Sequence, residues 1–263
     1  MSHSAPPEVT YRIAVIATAA RAYRPLRDNF GLAVALAWVP VIVTFATELI
    51  AARLESGGGW GQPLADFLRS ATLLVFGSLF GARWYRFVLI GERQIRGFFP
   101  PGFARFLVVA IKFTLLCAAA AILFAVIVAV IVAVILLASS PVLTTPLGFA
   151  GGLAIVLLAS RVSLVFPAAA IERPIGFRAA WVLLGGNYWR LVACAAVCYL
   201  PFIIAQPIVL YLGKAMPAPI AIVCQAIGVI VIFAGSAVAV GMFSDVYRNI
   251  AGIADTGVAR IPD

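Results

Sequence analysis

The sequence predicts an all-α integral membrane bundle of six transmembrane helices. They are arranged as three hairpins, with interfacial helices before the first and fifth spans. Three observations predict it. Of 263 residues, 64% are hydrophobic and 11% are charged, with a mean hydropathy of +1.10. A soluble domain carries about 25% charged residues to meet water. Phe113 to Ser160 holds no charge at all, enough for two crossings at about 20 residues each. Finally, the basic residues fall mostly at alternate ends of the apolar runs, as a multi-pass chain requires.

Met1 to Thr10 is polar and reads as a disordered terminus; residues 11–250 form one six-helix domain, and 251–263 a polar cytoplasmic tail. No basic segment running directly into an apolar core and a cleavage site opens the chain, so the first span is expected to stay as an anchor. In Tyr11 to Asn29, Arg21, Arg24 and Arg27 recur every third residue around Tyr23 and Leu26. That pattern suits an interfacial helix or a helix packed under the bundle, and Pro25 argues against one unbroken helix.

The first span covers about Phe30 to Ala51, with Glu48 close enough to its far end to reach water. ESGGGWGQP turns the chain, Trp60 serving as an interfacial anchor. The second span runs from Leu68 to Ile90 and contains Arg83 and Arg86. Pro100 and Pro101 then break the helix beside Phe98, Phe99 and Phe103. The third span, Phe106 to Ala138, is longer than a roughly 30 Å hydrocarbon core needs, so tilting or projection is expected. SSPVLTTPLG turns the chain at 139–146. The fourth span, Phe149 to Ile171, is interrupted by Arg161, Ser163 and Pro167. The fifth, Leu191 to Leu212, carries Pro201 and Pro207 as kink sites, and the sixth covers Ile220 to Phe243.

Both termini then lie on one side, together with 16 of the 19 basic residues; Arg53, Arg69 and Lys214 face the other. The positive-inside rule makes the terminus side cytoplasmic. No basic stripe or nucleic-acid motif accompanies the net charge of +9, so no nucleic acid is expected as partner. Cys117, Cys194, Cys198 and Cys224 sit in apolar runs and read as core thiols. His3, the only histidine, has no metal-ligand companions, so neither metal nor cofactor is expected.

The segment FPAAAIERPIGFRAAWVLLGGNYWR, Phe166 to Arg190, carries most of the distinctive chemistry. ARAYRPLRDNFGL echoes it: aligning Asn29 with Asn187 pairs Tyr23 with Trp181 and Phe30 with Tyr188. Glu92-Arg93 and Glu172-Arg173 repeat after apolar segments. These spacings fit one and two lengths of a unit of about 80 residues, a parallel repeat of two-helix units; chance similarity among apolar segments is the alternative.

Arg161 lies deep in its span, where a bare guanidinium facing acyl chains is costly. It must face the bundle interior, a wet recess, an anion, or snorkel to the headgroups. With Arg83 and Arg86 it can form a cationic recess for an anionic phospholipid headgroup, since guanidinium forks match phosphate oxygens; pairing with Glu92, Glu172 or Asp245 is the competing use. Asn187, Tyr188, Trp189 and Arg190 read as a structural lead-in, Asn187 capping the next helix and the aromatics resting at the interface.

ERPIGFRAAWVLLGGNYWRL and RWYRFVLIGER resemble the glycerophosphoryl diester phosphodiesterase membrane-domain family of six-helix bacterial inner-membrane proteins, over about Ala20 to Ile250. The phosphodiesterase domain itself has no counterpart here. The resemblance implies a bacterial inner-membrane module connected with envelope or lipid homeostasis. Without a histidine-containing acid–base pair, nucleophile constellation or metal cluster, the residues point away from catalysis. They point towards binding or handling of anionic phospholipid. Two alternatives stand beside this: an accessory or assembly subunit offering its third helix to a membrane protein partner through CAAAAILFA, and a transporter of a small anionic or amphiphilic substrate.

Overall fold

The computed structural model describes residues 12–93, 97–136 and 154–251. The two terminal segments and the turn expected at 139–146 lie outside these. The described residues form helices only: α1 (Val15–Asp28), α2 (Phe30–Ser56), α3 (Gly61–Ile90), α4 (Phe103–Leu136), α5 (154–162), α6 (Val165–Ala170), α7 (Phe177–Leu183), α8 (Tyr188–Ala215) and α9 (Ala218–Ala251). Five of them, α2, α3, α4, α8 and α9, are long and apolar enough to cross a membrane. The chain is therefore an all-α bundle with the character of a multi-pass membrane protein.

The expected fourth span takes a different form. Its described part, Ala154–Ala170, is shorter than a crossing and breaks at Ser163 and Leu164. The break has a local cause. Pro167 lacks the N–H that would bond the Ser163 carbonyl, and the Ser163 hydroxyl donates to the Ser160 carbonyl at 2.8 Å, competing with the helix ladder.

The core sits between α3 and α9. In these helices 61% and 56% of the most apolar stretch is buried, against 22% in α2 and 11% in α4 and α8. Phe80 stacks on Trp84 and meets Phe233 edge to face, while Trp84 Nε1 donates to the Ala237 carbonyl at 3.0 Å. An indole N–H buried in an apolar bundle needs such an acceptor.

Two antiparallel hairpins, α2–α3 and α8–α9, flank this core. At the far end of the first, Gly58 and Gly59 take left-handed φ of 70° and 57°, and a Cβ on Gly61 would meet the Leu54 backbone. Only glycine turns there without strain. Arg69 closes the same end, pairing with Glu48 at 2.9 Å, Asp66 at 3.3 Å, and Glu55.

Helix α1 is packed, which favours the second of its two expected placements. Ala19 and Ala22 are buried, and a Cβ on Gly241 of α9 would collide with the Ala22 carbonyl. Arg21 forks onto Asp245 through Nε–Oδ1 at 3.0 Å and Nη2–Oδ2 at 3.1 Å. Tyr23 Oη donates to the Cys198 carbonyl at 2.7 Å; burial, then the neighbouring thiol, raises its pKa and keeps it a donor. Contrary to the expectation from Pro25, α1 continues to Asp28. Pro25 removes one amide from the ladder, but its own carbonyl accepts from Asn29 N at 3.1 Å, so the last turn still closes.

Candidate functional site

The sequence-selected residues gather at the end of the bundle where α3, α6 and α9 finish and α2, α4 and α8 begin. Arg86, on the last turns of α3, is the hub. Its Nε donates to Glu92 at 2.6 Å, and its Nη1 donates to Glu172 at 3.1 Å and to the Ala170 carbonyl at 3.2 Å. The two Glu-Arg pairs recognised as a repeat thus send both carboxylates to one guanidinium. Two chain reversals make this possible. Gly91 leaves α3 at φ 69°, a left-handed C-cap, and Glu172 follows α6 at φ 60°, the one described non-glycine residue with positive φ. Holding glutamate there is strained, and the charge-assisted bond to Arg86 is what the strain serves.

Arg83, one turn earlier, faces another way. Its Nη2 donates to the Gly97 carbonyl at 2.7 Å and to the Phe98 carbonyl, and its guanidinium lies 5.9 Å from the Phe98 ring centre. Arg161 stands apart from both. It occupies the last turn of α5, where a cation complements the helix carbonyls. Its guanidinium carbon lies 4.0 Å from the Trp181 ring centre and 5.1 Å from that of Tyr188. Its Nε is buried with no hydrogen-bond partner, and no carboxylate pairs with it among the described residues. The three arginines therefore do not converge into one recess: Arg86 is neutralised by glutamates, Arg83 clasps a loop, and Arg161 lies between aromatic rings.

Asn187 departs from its expected role. It precedes α8 without a side-chain cap; its Oδ1 accepts from the Ile13 amide at 3.0 Å, while Arg190 Nη1 donates to the Ile13 carbonyl at 3.1 Å. The pair grips one main-chain unit of the extended segment ahead of α1. Trp189 is exposed against the Tyr188 ring at 5.0 Å, and Arg93 and Arg173 are exposed beside their glutamates.

Three sequence signals were not used at the sequence level. Trp181 reads in the sequence as an echo of Tyr23, and Tyr188 as an echo of Phe30 and an interfacial aromatic; in the structure both lie against Arg161. Gly97 supplies a carbonyl to Arg83. Pro40, inside α2, lies with Arg83 along one groove. Among the described residues no His, Cys, Asp and Glu group can hold a metal ion, and Cys194 and Cys198 are buried free thiols.

No family model matches this chain, and neither does any curated protein or solved structure.

Proposed function

We propose that this chain is a non-enzymatic module of the bacterial inner membrane that binds or handles anionic phospholipid, with Arg161 as the headgroup contact. The observation that carries the reading is the buried, unpartnered Nε of a guanidinium stacked against Trp181 and Tyr188. Contact with the ring faces does not occupy the N–H donors, and a buried donor left unpaired costs about 1–3 kcal/mol. A phosphate oxygen would satisfy it and match the charge. Of the three arginines selected in the sequence, Arg86 becomes a structural residue in this reading.

The reading keeps six spans in three hairpins, with α1 and α7 as lead-ins to the first and fifth. The distribution of arginine supports cytoplasmic termini. The resemblance of ERPIGFRAAWVLLGGNYWRL to the phosphodiesterase membrane-domain family is in keeping with a role in envelope homeostasis. A second reading, an accessory subunit, draws on α4, whose Leu115, Ile122 and Leu123 are exposed.

Native mass spectrometry of the purified chain tests the choice. Retained phosphatidylglycerol that falls about tenfold or more in Arg161→Ala supports the headgroup role, since a hydrogen bond to a charged group contributes about 1.5–3 kcal/mol. Retention unchanged in the variant refutes it, and a stoichiometric protein companion without lipid favours the subunit.

A further inference from the structure

A groove of about 360 Å³ runs between α2, α3 and the 97–98 loop, lined by Leu36, Trp38, Pro40, Leu79, Arg83 and Phe98 among others. Its size is at the small end of ligand pockets, which span about 300–1,000 Å³. Among the polar groups along it, two are of opposite kind.

The first is Arg83. Both its hydrogen bonds leave from Nη2 and end on neutral main-chain carbonyls, so its charge has no carboxylate counterpart among the described residues. Nε and Nη1 make no bond there. The second is the Leu36 carbonyl. In an unbroken helix it would accept from the amide of residue 40, but that residue is Pro40, which has no N–H to give. No side chain donates to it among the described residues. The Leu36 carbonyl thus lacks its i+4 amide, and because it points towards position 40 and both residues line the groove, this acceptor lies beside the groove. Leu36 is six residues into α2 and Arg83 seven from the end of α3, so both sit about 10 Å in from the same end of the hairpin.

We infer that this groove binds a phospholipid whose headgroup carries its own hydrogen-bond donor: Arg83 takes the phosphate and the Leu36 carbonyl takes the donor, an ammonium or hydroxyl group. Charge complementarity argues for the phosphate, and the chemistry of an unfilled carbonyl argues for the donor. Val34, Trp38 and Ile42 are exposed on the same helix, at 49%, 57% and 57%, and offer apolar surface to the acyl chains. The inference rests on the phospholipid-binding reading above but uses a separate arginine and adds selectivity for headgroup type.

Phosphatidylethanolamine and phosphatidylcholine carry the same net charge and differ in donor capacity, so they isolate the second contact. The full chain is equilibrated in detergent with equal amounts of the two, bearing identical acyl chains, and retained lipid is read by native mass spectrometry. The ethanolamine lipid is expected to dominate by roughly three- to tenfold, the range of one net hydrogen bond. Pro40→Ala supplies the missing amide to Leu36 and should bring the ratio close to one. Arg83→Gln should lower retention of both lipids. A ratio near one in the unaltered chain overturns the inference, as does a preference that survives Pro40→Ala. Should Arg83→Gln not fold, Pro40→Ala decides alone, since it restores a helix bond. Arg161→Ala separates the two sites: it should lower phosphatidylglycerol retention and leave the ethanolamine-to-choline ratio unchanged.

Discussion

Arg86 shows how a residue selected as a ligand contact becomes a structural one. Its side chain is 11% exposed, while those of Glu92 and Glu172 are 28% and 42% exposed. Removing the guanidinium leaves Glu92 and the Ala170 carbonyl without their donor. Arg86→Met should therefore lower the thermal midpoint by the equivalent of about 1–3 kcal/mol, measured by scanning fluorimetry in detergent. Glu92→Gln should cost more than Glu172→Gln, because Glu92 is closer and less exposed; the exposed partner contributes about 1 kcal/mol or less after solvent screening. Equal effects from the two would mean that neither carboxylate is distinguished by its surroundings. The sequence showed which charges were misplaced for a lipid-facing helix. It did not show their partners, since Arg86 and Glu172 meet across 86 positions and spacing encodes no such distance. Arg161 stands out in the sequence for another reason, its place along one apolar run. Its aromatic holders lie on separate elements, where counting stops.

At the scale of elements, hydropathy located α2, α3, α4, α8 and α9 but drew α3 and α9 too short. α3 begins at Gly61 rather than Leu68, and α9 continues to Ala251 rather than Phe243. Apolarity ends where lipid ends, but hydrogen bonding continues through the polar turns beyond. The broken Ala154–Ala170 stretch followed from interruptions that were visible, Ser163 and Pro167, whose joint effect was not weighed. α1 was harder to read, because the same amphipathic pattern serves a lipid interface and a protein interface. Its packing hinges on the approach of Gly241 to the Ala22 carbonyl, a small-residue contact of the kind that lets membrane helices come close. Gly241→Val should force α1 off α9 and destabilise the chain by about 1–3 kcal/mol, whereas Gly77→Ala, with open space around it, should be nearly neutral. Thermal unfolding of the two variants side by side checks this, and a neutral Gly241→Val would show that α1 does not depend on its close approach to α9.

For the whole molecule, the bundle has two unlike ends. One gathers Arg21, Arg83, Arg86, Arg190 and Arg248 into bonds with carboxylates and main-chain carbonyls. The other has Arg69 among Glu48, Glu55 and Asp66. If the first end is cytoplasmic, an impermeant thiol reagent applied from outside the membrane should label cysteines placed at Gly57 and Lys214 and spare one placed at exposed Phe99. The reverse pattern would invert the topology and move the proposed lipid contacts to the opposite leaflet. Native cysteines do not obscure this readout at α8, where Cys194 and Cys198 are buried.

The clasp between Arg21 and Asp245 joins residues 224 positions apart, and this sets an order of events during synthesis. Translation at about 5–20 residues per second makes the first partner wait on the order of 10–45 s for the second. Until translation passes residue 188, about three quarters of that interval, the newborn α1 has neither α8 nor α9 to cover its alanine face. A ribosome stalled before residue 187 should therefore yield a nascent chain whose α1 is open to protease, and release of the full chain should close it.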